Sequence, residues 1–347
     1  MAIAYDYKER NERKSVILIV LFALSFLMFV YLATWGFFIL SGLLAYFRPT
    51  GYLTWNSTMT HAFLQTVDTC EWLLPLSLAV SLFWARVALN EGEDFILGRL
   101  HGVRFLPKWD DYGANTTLEN LCIRTGDITP RVYVLKDKSL NAFSVGARPD
   151  RSAVVLSSGL LNQLTHDQLE AVLAHELAHI RNNDTRLMMV FVMCLAFFTF
   201  MGEYLFYGRE KDDIYEENGI RLNRIRCPLG LWSYIGFMLL VYGYVIAPVL
   251  RLGLSRTRER LADAEAALIT RHPRALAKAL WRVSLDSRLE ALDSSVLLSA
   301  LCIASPSGEP TFFERISGLY RAHPPVEERI YALNDMDGMF LSLPARK

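Results

Sequence analysis

From Ser15 to Phe47 the chain carries no charged residue, a run longer than a soluble core helix needs. About 20 apolar residues cross a hydrocarbon layer of about 30 Å. The run can therefore span and still leave Trp35, Tyr46 and Phe47 at an interface. No small-residue cleavage site follows a short apolar core, so it reads as a retained anchor rather than a removed signal peptide. Three further segments behave alike. Trp72–Ala85 lies between Glu71 and Arg86, and reaches about Leu89 if Arg86 snorkels. Leu187–Tyr207 is interrupted only by Glu203, and Leu231–Leu250 carries no charge. A buried core helix is the competing reading of the last two. With 52% hydrophobic residues in all, a purely soluble protein is excluded, and about four membrane helices are expected.

The spans, at about 15–38, 70–89, 187–207 and 231–250, divide the chain in two. Residues 1–90 form an N-terminal transmembrane hairpin, and residues 91–347 form a second domain into which another hairpin is inserted. Lys8, Arg10, Arg13 and Lys14 precede the first span, only Arg48 lies between the first two, and Arg86, Arg99, Arg104 and Lys108 follow. Basic residues favour the cytoplasmic side, which places the N-terminus and the region from about residue 90 there. The basic residues of loop 209–226 oppose that rule. Over the whole chain Lys+Arg and Asp+Glu balance at 36 each, so no global field attracts nucleic acid, and no nucleic-acid-binding module is visible. The 5 cysteines show no CxxC pair, which excludes a thiolate zinc ribbon and a disulfide framework.

The second domain reads as α+β and mainly helical, with a small sheet. Thr116 or Thr117 is positioned to cap a helix ending at Gly126. Arg131–Leu135, Leu140–Val145 and Ala153–Ser157 alternate as strands, separated by turn-rich stretches. Asn141, Ala142 and Phe143 lie on the middle one and read, by spacing alone, as ordinary sheet. Thr165 with Gln168 three residues later makes a capping box, and Leu169, Val172 and Leu173 give the helix that follows an apolar face.

That helix carries His175-Glu176-Leu177-Ala178-His179. Two histidines at i and i+4 share one helical face and can reach one ion, while Glu176 beside them can take a proton from water. Two surface histidines are the plain alternative. A catalytic zinc asks for a third protein ligand. Glu259 is the better candidate, since Glu259 and Asp263 are also i and i+4 and Asp263 could fix a ligand histidine's tautomer. From charge pattern alone, a solvated turn with Glu259 paired to arginine competes with this. A hairpin that leaves one membrane face and returns to it would bring His179 and Glu259 together near that face.

HELAHIRNND, SRTRERLAD, NAFSVG with the SSGLL after it, and the late His323-Pro324-Pro325-Val326-Glu327-Glu328-Arg329 occur in order over about residues 130–335. Together they resemble the M48 peptidases, nearest the HtpX-like membrane proteases. The resemblance implies a zincin-like domain and one Zn2+ per chain on His175, His179 and Glu259. It implies Glu176 as general base and Asp263 behind the ligands. It further implies an edge strand near Asn141, Ala142 and Phe143 that pairs with substrate backbone. His323 and Arg329 match positions over the cleft, where either is a candidate oxyanion donor. The activity implied is endopeptidase action on unfolded or membrane proteins at the cytoplasmic face of a bacterial inner membrane, in protein quality control. A CAAX prenyl-protein endopeptidase of Ste24 type and a catalytically silent zinc-binding scaffold are the alternatives. Four spans are few for the first, and an intact motif argues against the second.

Overall fold

The computed structural model describes residues 2–46, 55–100, 102–107, 112–207, 214–217, 220–223, 231–251, 257–285 and 326–342. Helices dominate, with a four-stranded and a two-stranded sheet among the described residues. Contacts divide the chain into two units. Met1–Val16, Val87–Val192 and Leu250–Lys347 form one, and Ile17–Arg86 with Met193–Val249 form the other.

The second unit is built from long apolar helices: α1 (Ala2–Tyr46), α2 (Trp55–Asn90), α7 (Asp184–Tyr207) and α8 (Leu231–Arg251). Within these, Tyr7–Leu44, Met59–Asn90 and Asp184–Phe206 are long and apolar enough to cross a membrane. The fourth expected span falls on α8, of which the stretch with described side chains, Leu231–Gly243, is a shorter apolar helix. The second helix is longer than residues 70–89 suggest, running through Glu71 and Pro75 without a break. Aromatic edges replace the hydrophobic effect that lipid cannot supply. Phe26 meets Phe197 edge-on at 4.8 Å, Phe22 meets Phe198 at 5.6 Å, and Trp84 meets Phe197 at 5.3 Å. Small residues close the α7–α8 crossing: a Cβ at Gly236 would stand 2.5 Å from the Phe206 backbone nitrogen.

In the first unit, β1 (Val103–Phe105), β2 (Arg131–Leu135), β4 (Arg151–Ser157) and β3 (Ala142–Arg148) lie in the order β1-β2-β4-β3. The β2–β4 pair is parallel, and both flanking pairs are antiparallel. The strand expected at Leu140–Val145 thus runs from Ala142 to Arg148. Its register shifts between Val145 and Arg148, where Gly146 has φ +130° and a Cβ would meet the Arg151 carbonyl at 2.3 Å. Only glycine takes that backbone beside so close a neighbour.

Helix α3 (Gly92–Arg99) precedes β1, α4 (Ala114–Thr125) lies between β1 and β2, and α5 (Ser158–Gln163) follows β4. The α4 helix starts earlier than a Thr116 or Thr117 cap would allow. Gly113 is its N-cap, and the Thr117 hydroxyl instead donates back to the Gly113 carbonyl at 2.8 Å. Gly126 ends it in a left-handed conformation, as expected. Helix α6 (His166–Arg181) has the capping box on Thr165 and Gln168, whose Oε1 accepts from the Thr165 N–H at 3.2 Å. It packs against β3, α4, α9 (Thr257–Thr270) and α10 (Pro273–Leu285), and α11 (Val326–Ser342) packs on α9 and α10. Leu169, Val172, Leu173, Leu276, Leu280 and Leu333 belong to the core so formed. The loop 209–226 contains two short paired strands, β5 (Ile214–Glu217) and β6 (Ile220–Asn223), around an Asn-Gly dipeptide, a strong hairpin signal in sequence.

Candidate metal centre

Helices α6 and α9 pack on one another, and both carry fully buried alanines. Ala171, Ala174 and Ala178 on one, and Ala262 and Ala266 on the other, are fully buried. Alanine faces let helix axes approach closely, which allows a side chain as short as glutamate to reach across from α9.

There the structure brings together His175, His179 and Glu259, each offering a ligand atom within 4.8 Å of the others. The two Nε2 atoms face one another at 3.1 Å. Glu259 places Oε1 3.7 Å from Nε2 of His179 and Oε2 3.9 Å from Nε2 of His175. A carboxylate stands behind each Nδ1, and that of His179 is hydrogen-bonded to it. Asp263 Oδ1 lies 3.0 Å from Nδ1 of His175, and Asp184 Oδ2 lies 3.0 Å from Nδ1 of His179. A neutral imidazole that donates from Nδ1 leaves a lone pair on Nε2. Two lone pairs and a carboxylate then converge on one point, an arrangement that calls for a cation. Tetrahedral zinc, with bonds of roughly 2.0–2.1 Å, sets its ligands about 3.3 Å apart. The observed spacings bracket that edge, and the two-imidazole, one-carboxylate donor set suits zinc, so the residues present fit the ion.

Charge around the centre follows from burial and neighbours. Burial opposes charge on Asp263, but Arg329 and His175 outweigh it and hold the carboxyl below its ordinary range. Burial likewise disfavours a charged His179, yet Asp184, Glu259 and Glu176 prevail and raise it to about 9. The protonated imidazole therefore stabilises the metal-free fold fully below its ordinary 6.5, and that gain fades as pH rises through about 9. A metal must displace that proton. Zinc affinity should fall about tenfold per pH unit below about 9, with proton release on binding. Chelator competition at several pH values measures this, and a flat affinity between pH 7 and about 9 would mean that His179 does not hold its proton so tightly.

Glu176 follows His175 on α6 and is 2% exposed. Arg329, on α11, is equally buried and forks onto Asp263, with Nε donating to Oδ2 at 2.8 Å and Nη2 to Oδ1 at 2.7 Å. Its Nη1 lies 3.4 Å from Glu259 Oε2. Its Nη2 also lies 3.5 Å from Nε2 of His175, so the guanidinium reaches both Asp263 and the atoms that converge at the centre. His323 lies outside the described residues. Asn141, Ala142 and Phe143 are buried at the start of β3, an edge of the four-stranded sheet and the strand against which α6 packs. The sequence reading missed Asp184, although an acidic residue five positions after His179, just past the helix end, is a signal that could have been taken.

A model described as peptidase family M48 matches residues 118–337, more than half the chain. Among curated proteins, a Protease HtpX homolog of Bacteroides fragilis is 31% identical over 75% of this chain and 80% of its own length. Another, of Streptococcus pyogenes, is 27% identical over 96% of this chain and 99% of its own. Among solved structures, the crystal structure of S. mikatae Ste24p is 21% identical, covering 79% of this chain and 61% of that one with a TM-score of 0.45.

Proposed function

The chain belongs to peptidase family M48 and is HtpX-like, and from that premise we propose that it is a membrane-embedded zinc endopeptidase. The observation that carries the zinc chemistry is the convergence of His175, His179 and Glu259 beside Glu176. Bound there, zinc would supply a Lewis acid for the scissile carbonyl and an acidified water. The chain's own residues do the rest. Glu176 takes a proton from the attacking water and delivers it to the amine nitrogen as the C–N bond breaks, giving a carboxylate and a free amine. Asp184 holds His179 in the tautomer that turns Nε2 inward, and Asp263, 3.0 Å from Nδ1 of His175, is placed to do the same for that ring. Arg329 keeps Asp263 ionised for that task.

The substrate backbone adds as a strand to the edge of β3 near Asn141, Ala142 and Phe143. Main-chain pairing reads extended chain more than side chains, which suits unfolded or membrane proteins as substrates. The N-terminal hairpin and the hairpin inserted between α6 and α9 anchor the peptidase. The basic residues before the first span and after the second support an active site on the cytoplasmic side of a bacterial inner membrane.

The test uses detergent-purified full-length chain and an unfolded model protein as substrate. Metal-depleted protein should be silent and regain cleavage at one equivalent of zinc, whereas His175→Ala should neither bind zinc nor cleave. Cleavage by the depleted protein or by His175→Ala would overturn the assignment.

A further inference from the structure

The helix before the first apolar run carries no recognisable motif, yet Tyr7, Asn11 and Ser15, spaced four apart among exposed charges, are buried there. Asn11 is 1% exposed. Its Nδ2 donates to the Asn182 carbonyl at 2.9 Å and to Asp184 Oδ1 at 2.8 Å. Both neighbours are acceptors, so the amide must present its nitrogen to them. The other carboxylate oxygen of Asp184 holds Nδ1 of His179 at 3.0 Å. One residue along, Glu12 Oε1 accepts from Nδ2 of Asn183 at 2.8 Å. Asn183 has φ 58°, the left-handed conformation that asparagine tolerates better than most residues. The tip of α1 therefore grips all three residues of the corner that ends α6 and starts α7.

We propose that Asn11 is a positioning residue for the metal centre, fixing the Asp184 carboxylate that in turn orients His179. Asp184, 1% exposed, has two oxygens with two different jobs. Without the Asn11 amide, the carboxylate loses a partner and can rotate about its Cβ–Cγ bond, and the imidazole it holds loses its fixed direction. The residues before the first apolar run accordingly belong with the peptidase unit, consistent with Met1–Val16 grouping with it. The inference rests on the zinc reading of the site.

Loss of a group that supports a ligand typically weakens metal binding by about 10–100-fold. Full-length protein carrying Asn11→Ala is expected to bind zinc at least about tenfold more weakly than wild type by chelator competition. Asn11→Asp, equal in shape but facing Asp184 with a second carboxylate, should do the same, and serves if the alanine variant does not fold. Metal-free melting temperatures verify folding. In an Asp184→Ala background the Asn11 substitutions should have little further effect, because the group through which Asn11 acts is gone. Unchanged zinc affinity in both Asn11 variants would overturn the proposal. So would an equal loss in the presence and absence of Asp184, which would mark a merely structural contact. A wild-type protein that binds no zinc would instead overturn the metal-site reading itself, and this assignment with it.

Discussion

Glu176→Gln should lower turnover by about 10²–10⁴-fold while leaving one zinc per chain in place. The size of the loss follows from what glutamine retains and what it lacks. At 2% exposure the side chain is enclosed, and an amide of nearly equal volume preserves the packing of α6. The proposed ligands His175, His179 and Glu259 are untouched, so metal content should match wild type. What disappears is an acceptor that can hold a proton between water and the departing amine. Initial rates on an unfolded substrate, read beside metal analysis of the same preparation, check both halves. Wild-type rates would mean that another residue is the base. Loss of zinc along with activity would mean that Glu176 holds the centre together rather than moving a proton.

Arg329→Met is the second large effect, and it falls first on stability. The guanidinium makes two short hydrogen bonds to Asp263 and is 2% exposed. Removing one partner of a buried ion pair leaves the other charged without compensation, which costs about 3–5 kcal/mol. Asp263 then no longer steadies His175, so zinc binding should weaken too. Denaturant unfolding of the metal-free protein measures the first effect and chelator competition the second. Removing both partners, as in Arg329→Met with Asp263→Asn, should restore much of the stability, since no uncompensated charge remains. Zinc affinity should not recover with it. A double variant no more stable than the single would show that Arg329 acts through packing.

These residues also show how far the sequence could be read. The helix carrying His175, Glu176 and His179 announces itself locally, through the Thr165–Gln168 capping box and an apolar face at helical spacing, and it forms where the pattern puts it. The strand at Arg131–Leu135 is equally local. The limits of β3 are not, because a register shift at Gly146 depends on the partner strand. Glu259 and Asp263 share a face by spacing alone, but only packing decides which carboxylate meets the ligand atoms and which stands behind them. Arg329 was legible as a conspicuous residue and not as the partner of Asp263, 66 positions away. The Asn11–Asp184 contact spans 173 positions. A single buried amide leaves no periodic signature, so nothing short of the folded chain could disclose it.

The alanines between α6 and α9 set a mechanical tolerance for the whole centre. Alanine has no rotamers to adjust, so the gap between the two helices is a gauge fixed by backbone against backbone. A flexible side chain in that seam would absorb small errors, and the ligands would drift with it. Where alanines line it, the spread of positions open to Glu259 relative to the two imidazoles is inherited from the stiffness of two helices. Five buried alanines thus help to define the aperture, and with it the range of ionic radii the proposed site would accept.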